Sequence, residues 1–262
     1  MRSFMSNLVR ILGCGSSTGV PRIGGVWGAC DPSNPKNRRT RCSILVQKGS
    51  TKVLVDSSPD LRQQMLDANV GSVDAVYYTH DHADQAHGID DLRVLAQFGR
   101  KLLPVFADPQ TQRTLTKRFG YCFEGYGDYP AILDMCDLEA GGAVLGDDGD
   151  VLTVEPFVMH HGRINATGFI FDGKVAYSPD VHNLPEESFE KLQNIDLWIV
   201  DALRYRPHPS HSHVEQTLYW IDKVGASRGV LTNLHIDVDY EEVKAMCPDH
   251  VVPAYDGLEL AF

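Results

Sequence analysis

Apolar residues in this chain come in short runs, each closed by glycine, proline, asparagine or aspartate. Such runs predict strands over residues 7–13, 75–78, 103–107, 151–159, 197–200, 228–231, 251–254 and 258–262. Two further pairs read as hairpins: 43–47 with 52–56 across Lys48-Gly49-Ser50-Thr51, and 166–171 with 174–178 across Asp172-Gly173. Between them the spacing becomes helical. Ser58 and Pro59 supply a cap and a first-turn residue for a helix to about Ala68. Ile89, Leu92, Leu95 and Ala96 share one face of the next helix, and Asp108-Pro109 opens another to about Phe119. Helices are also expected over 186–193, over the amphipathic stretch ending at Val224, and over 241–246. Strands interleaved with helices predict an α/β fold. Residues 120–150, aromatic, acidic and glycine-rich, predict an insertion or lid. No repeat or low-complexity linker interrupts the pattern, so one domain is expected over 1–262.

One stretch concentrates chemistry. Behind the apolar strand Ala75-Val76-Tyr77-Tyr78 come His80, His82 and Asp84, two residues apart. Three histidines and four aspartates fall between His80 and Asp91. In an extended or tightly turning loop that spacing sends all three side chains to one side. Imidazole and carboxylate are the ligands a borderline divalent cation such as zinc takes. Other candidates follow the same placement: the pair His160 and His161, then Asp180, His211 and His235, all near a strand end or helix start. Ligands at strand ends converge on one edge of a sheet, which is how an α/β fold builds a site from distant sequence. Adjacent strand residues face opposite ways, so His160 and His161 compete for one role.

Composition narrows the function. A chain of 262 residues with 43% hydrophobic and 23% charged residues has an ordinary globular balance and room for a well-buried core. A net charge of -11 argues against a general nucleic-acid-binding surface. No apolar run reaches membrane-spanning length, and residues 1–10 lack the apolar core of a secretion signal. Six cysteines without CxxC pairs read as reduced thiols, so a soluble cytoplasmic protein is expected. The glycines of Gly13-Cys14-Gly15-Ser16-Ser17-Thr18-Gly19 permit a turn whose N–H groups could cradle an anion, although no Gly-Lys-Ser/Thr follows. A basic tail, Lys36-Asn37-Arg38-Arg39-Thr40-Arg41, closes the next loop and reads as solvated or as a phosphate grip.

The segments LGCGSSTGVP, THDHADQAHGIDDLR, HPSHSHVEQTL and LTNLHIDVDY, with the terminal AYDGLEL, together resemble the metallo-β-lactamase superfamily nearly end to end. Within it the likeness is to the phosphodiesterase branch containing PhnP. The resemblance implies a four-layer αββα sandwich with two divalent ions, zinc or else manganese, at the sheet edge. It implies His80, His82 and His161 as ligands of the first ion, Asp84 and His235 of the second, and Asp180 as the bridging carboxylate. His160 remains the alternative to His161. The reaction implied is cleavage of a small cyclic or nucleotide-like phosphodiester by a bridging hydroxide that Asp84 orients, with His211 as general acid. Ser17, Thr18, Arg204, Arg206 and His213 are candidates to hold the substrate, His213 reading otherwise as a helix-start residue. Homodimers are common in the superfamily.

Two departures stand out. Gln85 replaces the last histidine of the His-x-His-x-Asp-His signature; its amide oxygen could still coordinate, an oxygen-richer site suits manganese, and His87 could compensate. Only Cys30 and Cys42 stand where the PhnP branch clusters cysteines around a structural zinc, so none is expected here. The alternatives are an RNA-processing nuclease like tRNase Z, whose protruding arm and basic face are not evident, and a thioester or lactone hydrolase on the same ions. A non-enzymatic metal-binding module would follow if Gln85 disabled the second site.

Overall fold

The computed structural model describes residues 7–146 and 149–262. Its strands form two sheets of seven. From edge to edge the first runs Glu259–Ala261, Leu8–Gly13, Ser43–Lys48, Thr51–Val55, Ala75–Tyr77, Leu103–Ala107 and Leu133–Asp137. The second runs Val251–Pro253, Arg228–Thr232, Leu197–Asp201, Val175–Ser178, Ile164–Phe171, Val151–His161 and Ala143–Leu145. Both expected hairpins form, with Ile44 opposite Val55 and Phe171 opposite Val175. Leu8–Gly13 and Val151–His161 also pair antiparallel with both of their neighbours, whereas the strands from Thr51–Val55 to Leu133–Asp137 and from Val175–Ser178 to Val251–Pro253 pair in parallel, which requires crossovers that helices such as Leu61–Asp67 and Val214–Val224 provide. Leu197–Asp201 is buried at every position, as befits a strand with parallel neighbours on both sides and helices above.

Three apolar layers hold four structural ones together. Val9, Val53, Tyr77, Phe169, Phe171 and Ile199 fill the space between the sheets. Leu54, Leu61, Met65, Leu92 and Leu115 join the first sheet to its helices, and Trp198, Val200, Phe189, Trp220 and Val243 do the same for the second. Each such leucine, valine or phenylalanine contributes about 1.5–3 kcal/mol by leaving water. The result is the αββα sandwich that the sequence leads one to expect.

This arrangement fixes where the chemistry can sit. Asp56, His80, Asp180, Asp201 and Asn233 all lie at or just past the carboxyl ends of parallel strands, where open α/β sheets bind their ligands. The two sheets are stitched together there, Thr167 N donating to Thr79 O at 2.8 Å and Gly15 bridging to both Arg41 and Leu234. A side chain at Gly15 would bring its Cβ within 2.9 Å of Arg39 Cβ, so the close approach needs glycine.

Several elements differ from expectation. The helix behind the metal loop starts earlier, at Ala83–Ala86, and continues as Ile89–Asp91 and Leu92–Gly99. Gly88 separates the pieces because its N–H goes to Ser57 O, and a Cβ there would lie 2.0 Å from Ser58 O. The strand from Val151 runs through both His160 and His161. Where an insertion or lid is expected, the described residues extend the helix Pro109–Glu124, with non-helical backbone at Phe119, and supply an edge strand to each sheet, Leu133–Asp137 and Ala143–Leu145. Among the described residues no helix is long and apolar enough to cross a membrane.

Candidate active site

Asp56 ends its strand in a left-handed conformation (φ 63°) and accepts from the N–H and hydroxyl of Thr79, at 2.8 and 2.9 Å. With its proton committed to Asp56, the Thr79 hydroxyl accepts from His80 Nδ1 at 3.0 Å. The relay fixes the tautomer of His80, leaving the Nε2 lone pair free to act as a ligand. That Nε2 is buried and makes no hydrogen bond among the described residues. His161, on the inward face of its strand, is fixed in the same way by Nδ1 donating to Ser210 O at 2.7 Å. Its Nε2 lies 3.3 Å from His82 Nδ1. The three rings stand 4.5 to 5.1 Å apart, and their nitrogens form a cluster that could hold an ion. His160 faces away and meets Asn165 instead.

A second cluster joins His161 to Asp180 and His211. Asp180 is 2% exposed. Its Oδ2 accepts from Gln85 Nε2 at 2.9 Å, while its Oδ1 lies 4.0 Å from His161 Nε2 and 3.7 Å from His211 Nδ1. His211 Nδ1 donates to the fully buried Asp201 at 2.8 Å. Asn233 Nδ2 donates to Pro179 O at 2.9 Å, tying the next strand end to the loop that carries Asp180.

The titration behaviour of these groups suits a cation. Burial, reinforced by the neighbouring imidazoles, holds His80 well below the ordinary histidine range and His161 down at about 3. Both are therefore neutral, as a metal requires of its ligands. Burial also drives Asp180 far up, with Asp84 and Asp201 adding to it and His211 opposing. His80 Nε2 and Gln85 Oε1 are orphaned, the carboxylates of Asp180 and Asp201 crowd together around His211, and the donor set of imidazole and carboxylate fits a divalent ion.

Other candidates fall outside the clusters. His235 directs Nδ1 to Asp237 Oδ2 at 3.0 Å and Nε2 to the guanidinium of Arg22. Asp84 is half-buried and close enough to perturb Asp180 and His211, whereas His87 is exposed against Phe119. Ser17 and Thr18 are exposed. In the glycine loop that holds them, the N–H groups of Gly15, Ser16, Gly19 and Val20 are bonded to backbone carbonyls. Arg206 is exposed, and Arg204 is folded onto the carbonyls of Arg206 and Pro207. His213 precedes the first turn of Val214–Val224 and contacts Gln216. Asp56, Thr79, Asn233 and Ser210 were not singled out by residue pattern, and Asp201 was visible only as the acid ending an apolar strand.

The sequence model of the beta-lactamase superfamily domain matches residues 51–236. The chain belongs to the β-lactamase superfamily. Among solved members of the fold, a diphosphatase from the PhnP family is 33% identical, with a TM-score of 0.86 and 98% of each chain covered. An octanoyltransferase of Porphyromonas gingivalis is 35% identical over 255 residues, 95% of this chain but 50% of that protein. A ribonuclease Z of Bradyrhizobium sp. is 27% identical over 143 residues, 53% of this chain and 46% of that one. The chain thus spans about half the length of these two relatives. It is a PhnP-like member of that superfamily.

The relay behind His80 makes a prediction. In Asp56→Asn the amide can accept from Thr79 N–H but offers a donor to the Thr79 hydroxyl, whose own proton then turns to His80 Nδ1 and moves the imidazole proton onto Nε2, the nitrogen a metal needs. Metal affinity is expected to fall about 10–100-fold, the usual cost of losing such a support. Zinc titration against a chromogenic chelator checks it, and an unchanged affinity would remove Asp56 from the site.

Proposed function

We propose that the protein hydrolyses a phosphodiester or diphosphate linkage in a small molecule, with His211 donating the proton to the departing oxygen. The pairing of His211 with Asp201, next to Asp180 and His161, carries this reading. Asp201 holds the proton on Nδ1 and orients the ring, so that Nε2 can serve the substrate. Alkoxide and phosphate oxygens depart poorly, and a positioned acid speeds their loss by about 10²–10⁴. A thiolate leaves without such help.

In the ligand set we favour, His80, His82, His161 and Asp180 hold a divalent ion, zinc or manganese, and Asp84, Gln85 and His235 serve a second. Such ions supply water activation and charge for the phosphoryl oxygens. In the reaction, a water oxygen bonds to phosphorus, the bond to the leaving oxygen breaks, and that oxygen takes the proton from His211 Nε2. The proton released by the water restores the imidazole through solvent. The PhnP-family diphosphatase supports a phosphorus substrate. An RNA substrate has the likeness to ribonuclease Z in its favour, but a net charge of -11 opposes a long polyanion.

The test is turnover of bis(p-nitrophenyl) phosphate and ADP-ribose, with zinc or manganese added, beside an acyl thioester. Metal-dependent cleavage of either phosphorus compound is expected. Cleavage of the thioester alone would overturn the reading.

A further inference from the structure

The mouth of the site carries an arginine that the reaction above does not use. Residues 20–41 form a strap clamped onto residues 235–239. Ala29 N donates to Ile236 O at 2.8 Å, the buried Arg39 to Val238 O at 2.9 Å, and Asn37 Nδ2 to Asp239 Oδ2 at 2.6 Å. Trp27 packs against Val20, Cys30 and Ile236 under the same strap. These contacts hold the turn from Arg22 to Val26 in place. Arg22 Nε donates to Thr18 Oγ1 at 3.1 Å, and the guanidinium lies against His235 Nε2. At its other nitrogen, Nδ1, His235 meets Asp237, whose carboxylate lies 3.0 Å away and whose N–H lies 3.3 Å away, so Nε2 is the nitrogen turned towards Arg22.

We propose that Arg22 binds a second phosphate group beside the one attacked, so that the preferred substrates are diphosphates rather than simple diesters. This rests on the phosphoryl reading above. The lone pair of His235 can serve a guanidinium or a divalent ion, not both. With an ion there, Arg22 remains tethered by Thr18 and the strap, and its terminal N–H groups face the site unpaired. A guanidinium in that position takes phosphate oxygens two at a time. A diester has only two non-bridging oxygens, both drawn to the ions. A diphosphate brings further oxygens and a further negative charge, which a protein of net charge -11 repels unless a fixed cation meets it. Arg204 adds to that local charge, since it too is felt at His235.

The test uses calorimetry on the zinc-loaded full chain with two uncleaved probes, methylenediphosphonate and diphenyl phosphate, checking zinc content after each titration. In Arg22→Met, binding of methylenediphosphonate should weaken about 10–100-fold, the worth of charge-assisted hydrogen bonds, while diphenyl phosphate changes little. Arg22→Lys should fall between, keeping the charge and losing the fork. Zinc binding should be unchanged or tighter, because a competitor for His235 is gone. Equal weakening of both probes, or loss of zinc from the variants, would overturn the proposal. Wild-type protein that binds diphenyl phosphate and cleaves bis(p-nitrophenyl) phosphate, yet shows no preference for the diphosphonate, would sink the role of Arg22 alone. Wild-type protein that binds neither probe and cleaves no phosphorus ester would sink the phosphoryl reading with it.

Discussion

Replacing His80 with alanine is expected to abolish metal uptake and turnover together, with kcat lowered by about 10³-fold or more through loss of ion catalysis. His80 is 1% exposed, and nothing among the described residues satisfies its Nε2. An unsatisfied buried polar atom costs about 1–3 kcal/mol, so this nitrogen is a liability in the absence of an ion. The metal-free variant should therefore be at least as stable as the metal-free wild type. The pH dependence has a definite sign. His80 and His161 resist protonation in the folded protein, His161 down to about 3, while an unfolded histidine charges near 6.5. Unfolding therefore takes up protons in the window between, and these two residues withdraw stability as pH falls through it. Removing His80 removes its share, so the variant should lose less stability between pH 7 and pH 5. Metal analysis and calorimetry at the two pH values decide the matter. A variant that keeps metal and turnover would remove His80 from the site.

The second large effect is expected at His211. His211→Gln should retain its metal and lose about 10²–10⁴ in kcat on an alkyl phosphodiester, the usual contribution of a general acid. The loss should be far smaller on bis(p-nitrophenyl) phosphate, whose leaving group departs unprotonated. Burial works against a charged His211, yet the carboxylate of Asp201, with Asp180 and Asp84 behind it, pushes it up to about 9. An acid acts only while protonated, so the wild-type rate should fall as pH rises through a value at or below about 9, since bound ions oppose the carboxylates. The variant should lack that alkaline limb. Asp201→Asn should lower the wild-type rate by disturbing the same ring. Equal losses on both leaving groups, or missing metal, would contradict the assignment.

How much of this was legible depends on distance along the chain. His80, His82 and Asp84 are visible because three ligand residues fall within five positions directly behind an apolar strand. The choice of His161 over His160 agrees with strand alternation, since one ring turns inward and the other meets Asn165. Asp56 and Asp201 are harder. Each is a single acid closing an apolar run, and only tertiary contact shows that one steers His80 through Thr79 and the other steers His211. Arg22 sits in a glycine- and proline-rich loop that reads as solvated, because the clamp holding it comes from residues more than 200 positions away. Which N–H groups of the glycine loop are taken is hidden for a related reason, since the carbonyls that meet Gly15, Ser16 and Val20 come from Thr40, Leu234 and Arg39.

Two open sheets have four outer strands, each a template on which another chain could add itself. Three of them, Ala143–Leu145, Val251–Pro253 and Glu259–Ala261, are only three residues long. The fourth, Leu133–Asp137, carries aspartate at two of its five positions. Short and charged borders are how β-proteins discourage strand-by-strand aggregation. Residues 120–150, the least patterned part of the sequence, supply two of those borders, so their weak pattern is itself a guard against self-association.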